Sequence, residues 1–168
     1  MPAANPTRTR LPGLDAEIVV ADERWRGVAG LRRIATLAKA ANMVLSGAAT
    51  GREVVIALGS DAEARALNRT YRGKDQATNV LSFAAAGQAK ATQLGDVILA
   101  YETCAREAEE HGIALSDHAC HLALHGVLHL LGCDHEVEAD AEVMEALETR
   151  VLAMLGIADP HAAELATE

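Results

Sequence analysis

Aromatic residues are nearly missing from this chain: Trp25, Tyr71, Phe83 and Tyr101 are the four among 168 residues. Proteins that hold single-stranded nucleic acid by stacking successive bases need a row of such rings. Any base platform here is therefore small, and Tyr71, beside a basic turn, is its best-placed member. Cysteine is scarce as well. Cys104, Cys120 and Cys133 form an odd set with no CxxC spacing, which argues against a disulfide framework and fits a reducing compartment. No charge-free apolar stretch reaches the roughly 18 residues of a membrane span. The opening MPAANPTRTRLPGL lacks the apolar run of a signal peptide, so the expectation is a soluble, cytoplasmic chain with no membrane partner.

Basic residues are short overall, with a formal net charge of −9, but unevenly so. Residues 1–100 carry 13 Lys and Arg against 9 Asp and Glu, while residues 101–168 carry 2 against 15. A polyanion responds to the local field more than to the total. An anion-binding groove would thus belong to the first half, and solvated acidic helix faces to the second.

Three of the four prolines fall in the first 14 residues, which reads as a flexible N-terminal tail over residues 1–14. One domain over residues 15–158 is expected, with a C-terminal tail from 159 to 168. AEIVVA (16–21) is a first strand, and apolar residues at helical spacing from about Val28 to Leu45 make a first helix that Ser46-Gly47 stops. REVVIAL (52–58) is a strand apolar enough to be covered on both faces. Ser60-Asp61-Ala62-Glu63 is a capping box opening a helix that ends near Gly73. NVLSF and GDVILA are the third and fourth strands and resemble a hairpin; helices follow at about 102–110, 117–131 behind a Ser116 cap, and 138–155. The order β-α-β-α-β-β-α-α-α implies a single α+β or α/β domain, a mixed sheet of about four strands packed with about five helices.

The chemistry concentrates in HGVLHLLGCDH. His125 and His129 are four residues apart, so on a helix they lie about 40° apart on one face and reach one ion together. Gly132 can end that helix in the left-handed conformation and return His135 to the same point. Three imidazoles without a fourth protein ligand describe an open zinc site that keeps a water. His121 is also four residues from His125, but about 12 Å along the axis from His129, too far to share the ion. It is assigned a place behind the ligands or in the core, and His118 an exposed position early in the helix. Asp134 either orients a ligand imidazole or caps the turn. Cys133 is read as a small buried hydrophobe, and Cys104 and Cys120 as core. The spacing matches the metzincin protease signature HExxHxxGxxH, except that Gly126 replaces the glutamate that serves there as general base.

A second cluster, LNRTYRGKDQATNVLSF, places Arg69, Arg72 and Lys74 around a helix end, where guanidinium forks suit phosphate. Asn68, Thr78, Asn79 and Ser82 add hydrogen-bonding capacity. These two stretches, in this order, resemble the YbeY-type endoribonucleases, bacterial ribosomal-RNA maturation factors, and LGDVILA and MEALETRVLAMLG are similar too. The likeness spans about Arg52 to Pro160. It implies one zinc ion on His125, His129 and His135, with Arg72 as the catalytic or phosphate-binding arginine; the basic turn itself is what places Arg69, Tyr71 and Lys74 near the substrate. It further implies single-strand-specific RNA cleavage in maturation of the small-subunit rRNA 3′ end and in ribosome quality control, with RNA and ribosomal particles as partners and DNA not expected. Ala77 and Ala84 stand where that family usually has proline, and Cys133 where it more often has an aromatic.

The residues leave the general base open among a water, the RNA 2′-hydroxyl and Asp134. Two other readings fit the histidines. A metzincin-like protease would lack its base at Gly126, and a non-catalytic assembly factor with a structural metal would need a fourth ligand.

Overall fold

The computed structural model describes residues 13–73, 78–133 and 138–161. Strands β1 (Asp15–Val20), β2 (Glu53–Gly59), β3 (Val80–Ala84) and β4 (Gln93–Ala100) form one sheet in the order β1-β2-β4-β3. The first two pairings are parallel and β3 runs antiparallel to β4. Helices α1 (Arg33–Val44), α2 (Asp61–Arg72), α3 (Tyr101–His111), α4 (Leu115–Leu130) and α5 (Glu138–Ala153) complete a single α+β domain. This is the mixed four-stranded sheet with five helices expected from the element order. Among the described residues, no helix is long and apolar enough to cross a membrane.

Alternation along the strands sorts side chains to two unequal layers. Val54, Ile56 and Leu58 of β2 and Val97 and Leu99 of β4 enter the main core with α1, α4 and α5. Ile98 and Ala100 point the other way, joining Ala64 and Leu81 in a small cluster beneath α2. REVVIAL is thus fully buried on one face and only partly covered on the other, where α2 packs against β4 and β3. Gly13 and Leu14 are both buried, so packed residues already lie within the segment expected as a tail.

Several element ends differ from the sequence expectation for local reasons. Gly30, at φ +88°, delays α1 to Arg33. Ser60 Oγ accepts from the Glu63 N–H at 3.1 Å, but it also donates to the Glu63 carboxylate, so the hydroxyl rather than the Ser60 backbone takes the return bond of the capping box. Helix α4 starts at Leu115 behind Ala114 with no side-chain cap, which puts Ser116 inside the first turn. Gly73 ends α2 with positive φ, as the sequence indicated, and Gly156 does the same after the last helical turns. Cys104 and Cys120 are buried, and burial pushes the Cys104 thiol up to about 12 and Cys120 up to about 11, which keeps both protonated and unreactive.

Helix α4 is the centre of the packing, touching α1, α3, α5, β3 and β4. Its fully buried Leu124 and Leu128 each contribute about 1.5–3 kcal/mol. Gly126 decides how closely it lies on the sheet. A Cβ there would stand 2.7 Å from Val97 Cγ1 and 2.8 Å from Ser82 Oγ, well inside contact distance. The space is used instead for a hydrogen bond from Ser82 Oγ to the Gly126 carbonyl, 3.1 Å. Gly126→Ala is expected to lower stability by about 1–3 kcal/mol through overpacking, read as a lower urea midpoint with an unchanged slope. An unchanged midpoint would show that the helix can lift from β3 and β4 without cost.

Candidate metal centre

One turn of α4 brings the first two histidines of the motif together. His125 Nε2 and His129 Nε2 are 3.1 Å apart, with ring planes at 80°. Ligand atoms on a tetrahedral zinc with bonds of about 2.0–2.1 Å are spaced by about 3.3 Å, so the pair fits one ion with little movement. The other nitrogen of His125, Nδ1, lies 2.6 Å from Glu148 Oε1. An ionised carboxylate only accepts, so Nδ1 donates and the lone pair is left on Nε2, the tautomer a metal ligand requires. His135 and Asp134, the other members of the motif's site, lie outside the described residues.

Glu148 is the residue the sequence reading missed. It occupies α5 between Met144 and Leu152, both fully buried, and its side chain is only 2% exposed. Burial alone would raise its pKa. Hydrogen bonds from His121 and His125 outweigh this and hold the carboxyl far below the usual carboxylate range. The signal was available: Met144, Glu148 and Leu152 share one helical face, and a carboxylate amid an apolar stripe needs buried donors.

The same carboxylate gathers two more rings. His121 Nε2 is 2.6 Å and His161 Nε2 3.1 Å from Glu148 Oε2. His121 therefore turns toward Glu148, one turn of α4 below the 125–129 pair, with its ring centroid 6.5 Å from that of His125. His121, Glu148 and His161 offer three ligand atoms within 4.8 Å of one another, a group that could hold a metal ion. His161, assigned to the C-terminal tail, is fastened by Asp159 Oδ1, which accepts from the His161 N–H at 2.8 Å and from Thr149 Oγ1 at 3.0 Å. His118 corrects the expectation of exposure. It is 7% exposed, because α3 packs across the start of α4 and places Glu107 Oε1 3.3 Å from its Nε2. Burial pushes its pKa below the ordinary histidine range, against the opposing pull of Glu107.

Arg72, from the last turn of α2, shares one cleft of about 610 Å³ with His125 and His129; Thr78, Asn79 and Ser82 also line it. An Arg72 N–H donates to the Ser82 carbonyl at 2.5 Å, and the guanidinium carbon lies 5.2 Å from the centre of the Phe83 ring. Tyr71 is 69% exposed and packs against the same Phe83 at 5.4 Å, but neither it nor Arg69, also exposed, lines the cleft. Lys74 lies outside the described residues. Of the polar residues of this cluster, Asn68 is buried, and Asn79 gives its amide N–H groups to Glu107 at 3.0 and 3.3 Å. Ser82 gives its hydroxyl to Gly126, and Thr78 lines the cleft beside them. Cys133 is half-buried.

Similarity to known proteins agrees with this geometry. A family model described as Endoribonuclease YbeY matches residues 25–156. The chain is 45% identical to Endoribonuclease YbeY of Rhodopseudomonas palustris (strain HaA2) over 157 residues, covering 87% of this chain and 80% of that one. It is 46% identical to Endoribonuclease YbeY of Maricaulis maris, covering 86% and 90%, and 55% identical to that of Paramagnetospirillum magneticum over a shorter span, 65% and 71%. In fold it resembles the solution structure of TM1509 from Thermotoga maritima, with a TM-score of 0.56, 20% identity, and 83% of this chain and 91% of the other covered. With a family match across most of its length and relatives this similar, the chain belongs to the endoribonuclease YbeY family.

Proposed function

We propose that this chain is a cytoplasmic, zinc-dependent endoribonuclease that cuts single-stranded RNA, acting in maturation of the small-subunit rRNA 3′ end and in ribosome quality control. The observation that carries the reading is the shared cleft: a phosphate-suited arginine and a metal-suited histidine pair, distant in sequence, line one cavity. His125 and His129 would hold the ion, with His135 as third ligand on the spacing of HGVLHLLGCDH. When bound, zinc supplies a Lewis acid and a water whose pKa is brought near neutrality.

The chain's own residues set the rest. Arg72 is oriented from below by the Phe83 ring and from the side by the Ser82 carbonyl. A guanidinium carries five N–H donors, so one spent on Ser82 leaves a fork for two phosphate oxygens, where charge grows as the phosphodiester is attacked. Glu148 holds His125 from its Nδ1 side and so cannot reach a water at Nε2; its part is to orient the ligand, not to take the proton. The small aromatic pair of Tyr71 and Phe83 offers stacking for a base at most beside the scissile phosphate, which favours an unpaired strand with little sequence preference. Gly126 counts against proteolysis, since the position of the protease glutamate has no room even for a methyl group.

Cleavage of a single-stranded RNA by the purified chain is expected to stop on chelation and to return with zinc. His125→Ala is expected to abolish it, and Arg72→Ala to lower kcat by about 10²–10³-fold while zinc content is unchanged. Arg72→Lys should recover little, because a point charge does not reproduce the fork. Cleavage that survives both alanine substitutions would overturn the assignment. Glu148→Gln, which keeps the shape and removes the charge, is expected to weaken zinc binding about 10–100-fold, measured by competition with a chromophoric chelator; undiminished affinity would deny Glu148 its orienting role.

A further inference from the structure

The carboxylate of Glu148 has two oxygens, and the candidate nuclease centre uses one. Oε1 faces His125. Oε2 faces away from that centre, toward His121 and His161. We propose that His121 Nε2, Glu148 Oε2 and His161 Nε2 form a second divalent-cation site, separate from the one on His125 and His129 and joined to it through the Glu148 carboxylate.

The donor set of two imidazoles and a carboxylate suits zinc, cobalt or nickel rather than magnesium or calcium, which prefer oxygen ligands. The geometry is close to what such an ion takes. The three atoms lie within 4.8 Å of one another, and the oxygen stands 2.6 and 3.1 Å from the two nitrogens. A tetrahedral shell asks for about 3.3 Å between ligands, so the two oxygen–nitrogen spacings open by less than about 1 Å. The His121 and His161 rings meet edge to face, at 88° and 5.6 Å between centres, which lets both nitrogens converge on one point.

The site has an entry path and a fastened ligand. The His121 and His161 side chains are 18% and 21% exposed against 2% for Glu148, leaving room for water to complete the shell. A cavity of about 300 Å³ reaches all three residues from the His125 side, and another of about 280 Å³ reaches both histidines from the Asp159 side. Asp159 pins the backbone of His161 to Thr149 of α5, so the ligand is held in reach before any ion arrives. An ion there would lock the segment after α5 onto α4 and fix the same carboxylate that orients His125. It would thereby couple metal at the second site to the readiness of the first.

Zinc per chain, measured by mass spectrometry of the full-length protein equilibrated with buffered free zinc, separates the two sites. Wild type is expected to hold two equivalents, His161→Ala one and His129→Ala one, with circular dichroism unchanged. His121→Ala serves as a second variant and is also expected to hold one. Retention of two equivalents by both His161→Ala and His121→Ala would overturn the proposal. So would a wild type with a single ion that is lost in His129→Ala and kept in His161→Ala, which would leave the nuclease reading intact. A single ion lost in His161→Ala and kept in His129→Ala would support this site and count against the zinc centre of the nuclease reading.

Discussion

The close approach of α4 to the sheet at Gly126 is the constraint on which the rest of this molecule depends. With no Cβ, the helix lies near enough for the Ser82 hydroxyl to bond the Gly126 carbonyl and for Val97 to pack under it. That contact fixes the height and rotation of the helix, and hence where His125 and His129 emerge. It also joins the two functional stretches physically, because Ser82 belongs to the strand whose carbonyl holds Arg72. The candidate metal ligands and the arginine proposed to meet phosphate are therefore positioned by one packing event. Bulk at residue 126 would separate them before it altered any functional group.

Behind that surface lies a polar knot in an otherwise apolar core. Glu148 is a buried carboxylate whose desolvation is offset by ring N–H groups from His121, His125 and His161. Burying such a group gains little stability by itself. Its value is geometric: it selects the tautomer of His125 and keeps α5 and the following turn in register with α4. A similar arrangement at the far end of the helix, Asn79 to Glu107 to His118, ties the residue before β3 to α3 and α4. Helix α4 thus carries its histidines against two buried or half-buried carboxylates while its leucines fill the core.

Family membership and geometry speak to different levels of the same conclusion. The relatives establish which family the chain belongs to. The cleft indicates how its own residues would divide the work, with the histidine pair and the arginine lining one cavity. None of the four aromatics lines this cleft: Trp25 donates to the Gly59 carbonyl and packs on Tyr101, while Tyr71 and Phe83 pack on each other beside Arg72. The pair left for base stacking under the proposed function is Tyr71 and Phe83.

Local patterns alone determined much of this protein. Helical spacing, β-branched runs and turn residues gave the element order, and the four-residue step of His125 and His129 predicted their convergence, because periodicity and side-chain direction are properties of a single helix. Exposure of His118, the cap at Ser116 and the full coverage of β2 were misjudged, because each depends on which neighbour packs there. Glu148 and His161 were invisible as partners of His121 and His125 for the same reason: 23 residues separate Glu148 from His125, and no local rule pairs them. What only the tertiary structure decided is which buried carboxylate meets which imidazole, and that Arg72 shares a cleft with the histidines. Long-range contacts of that kind are chosen by the packing of helices on a sheet, where a glycine's missing methyl counts as much as any ligand's identity.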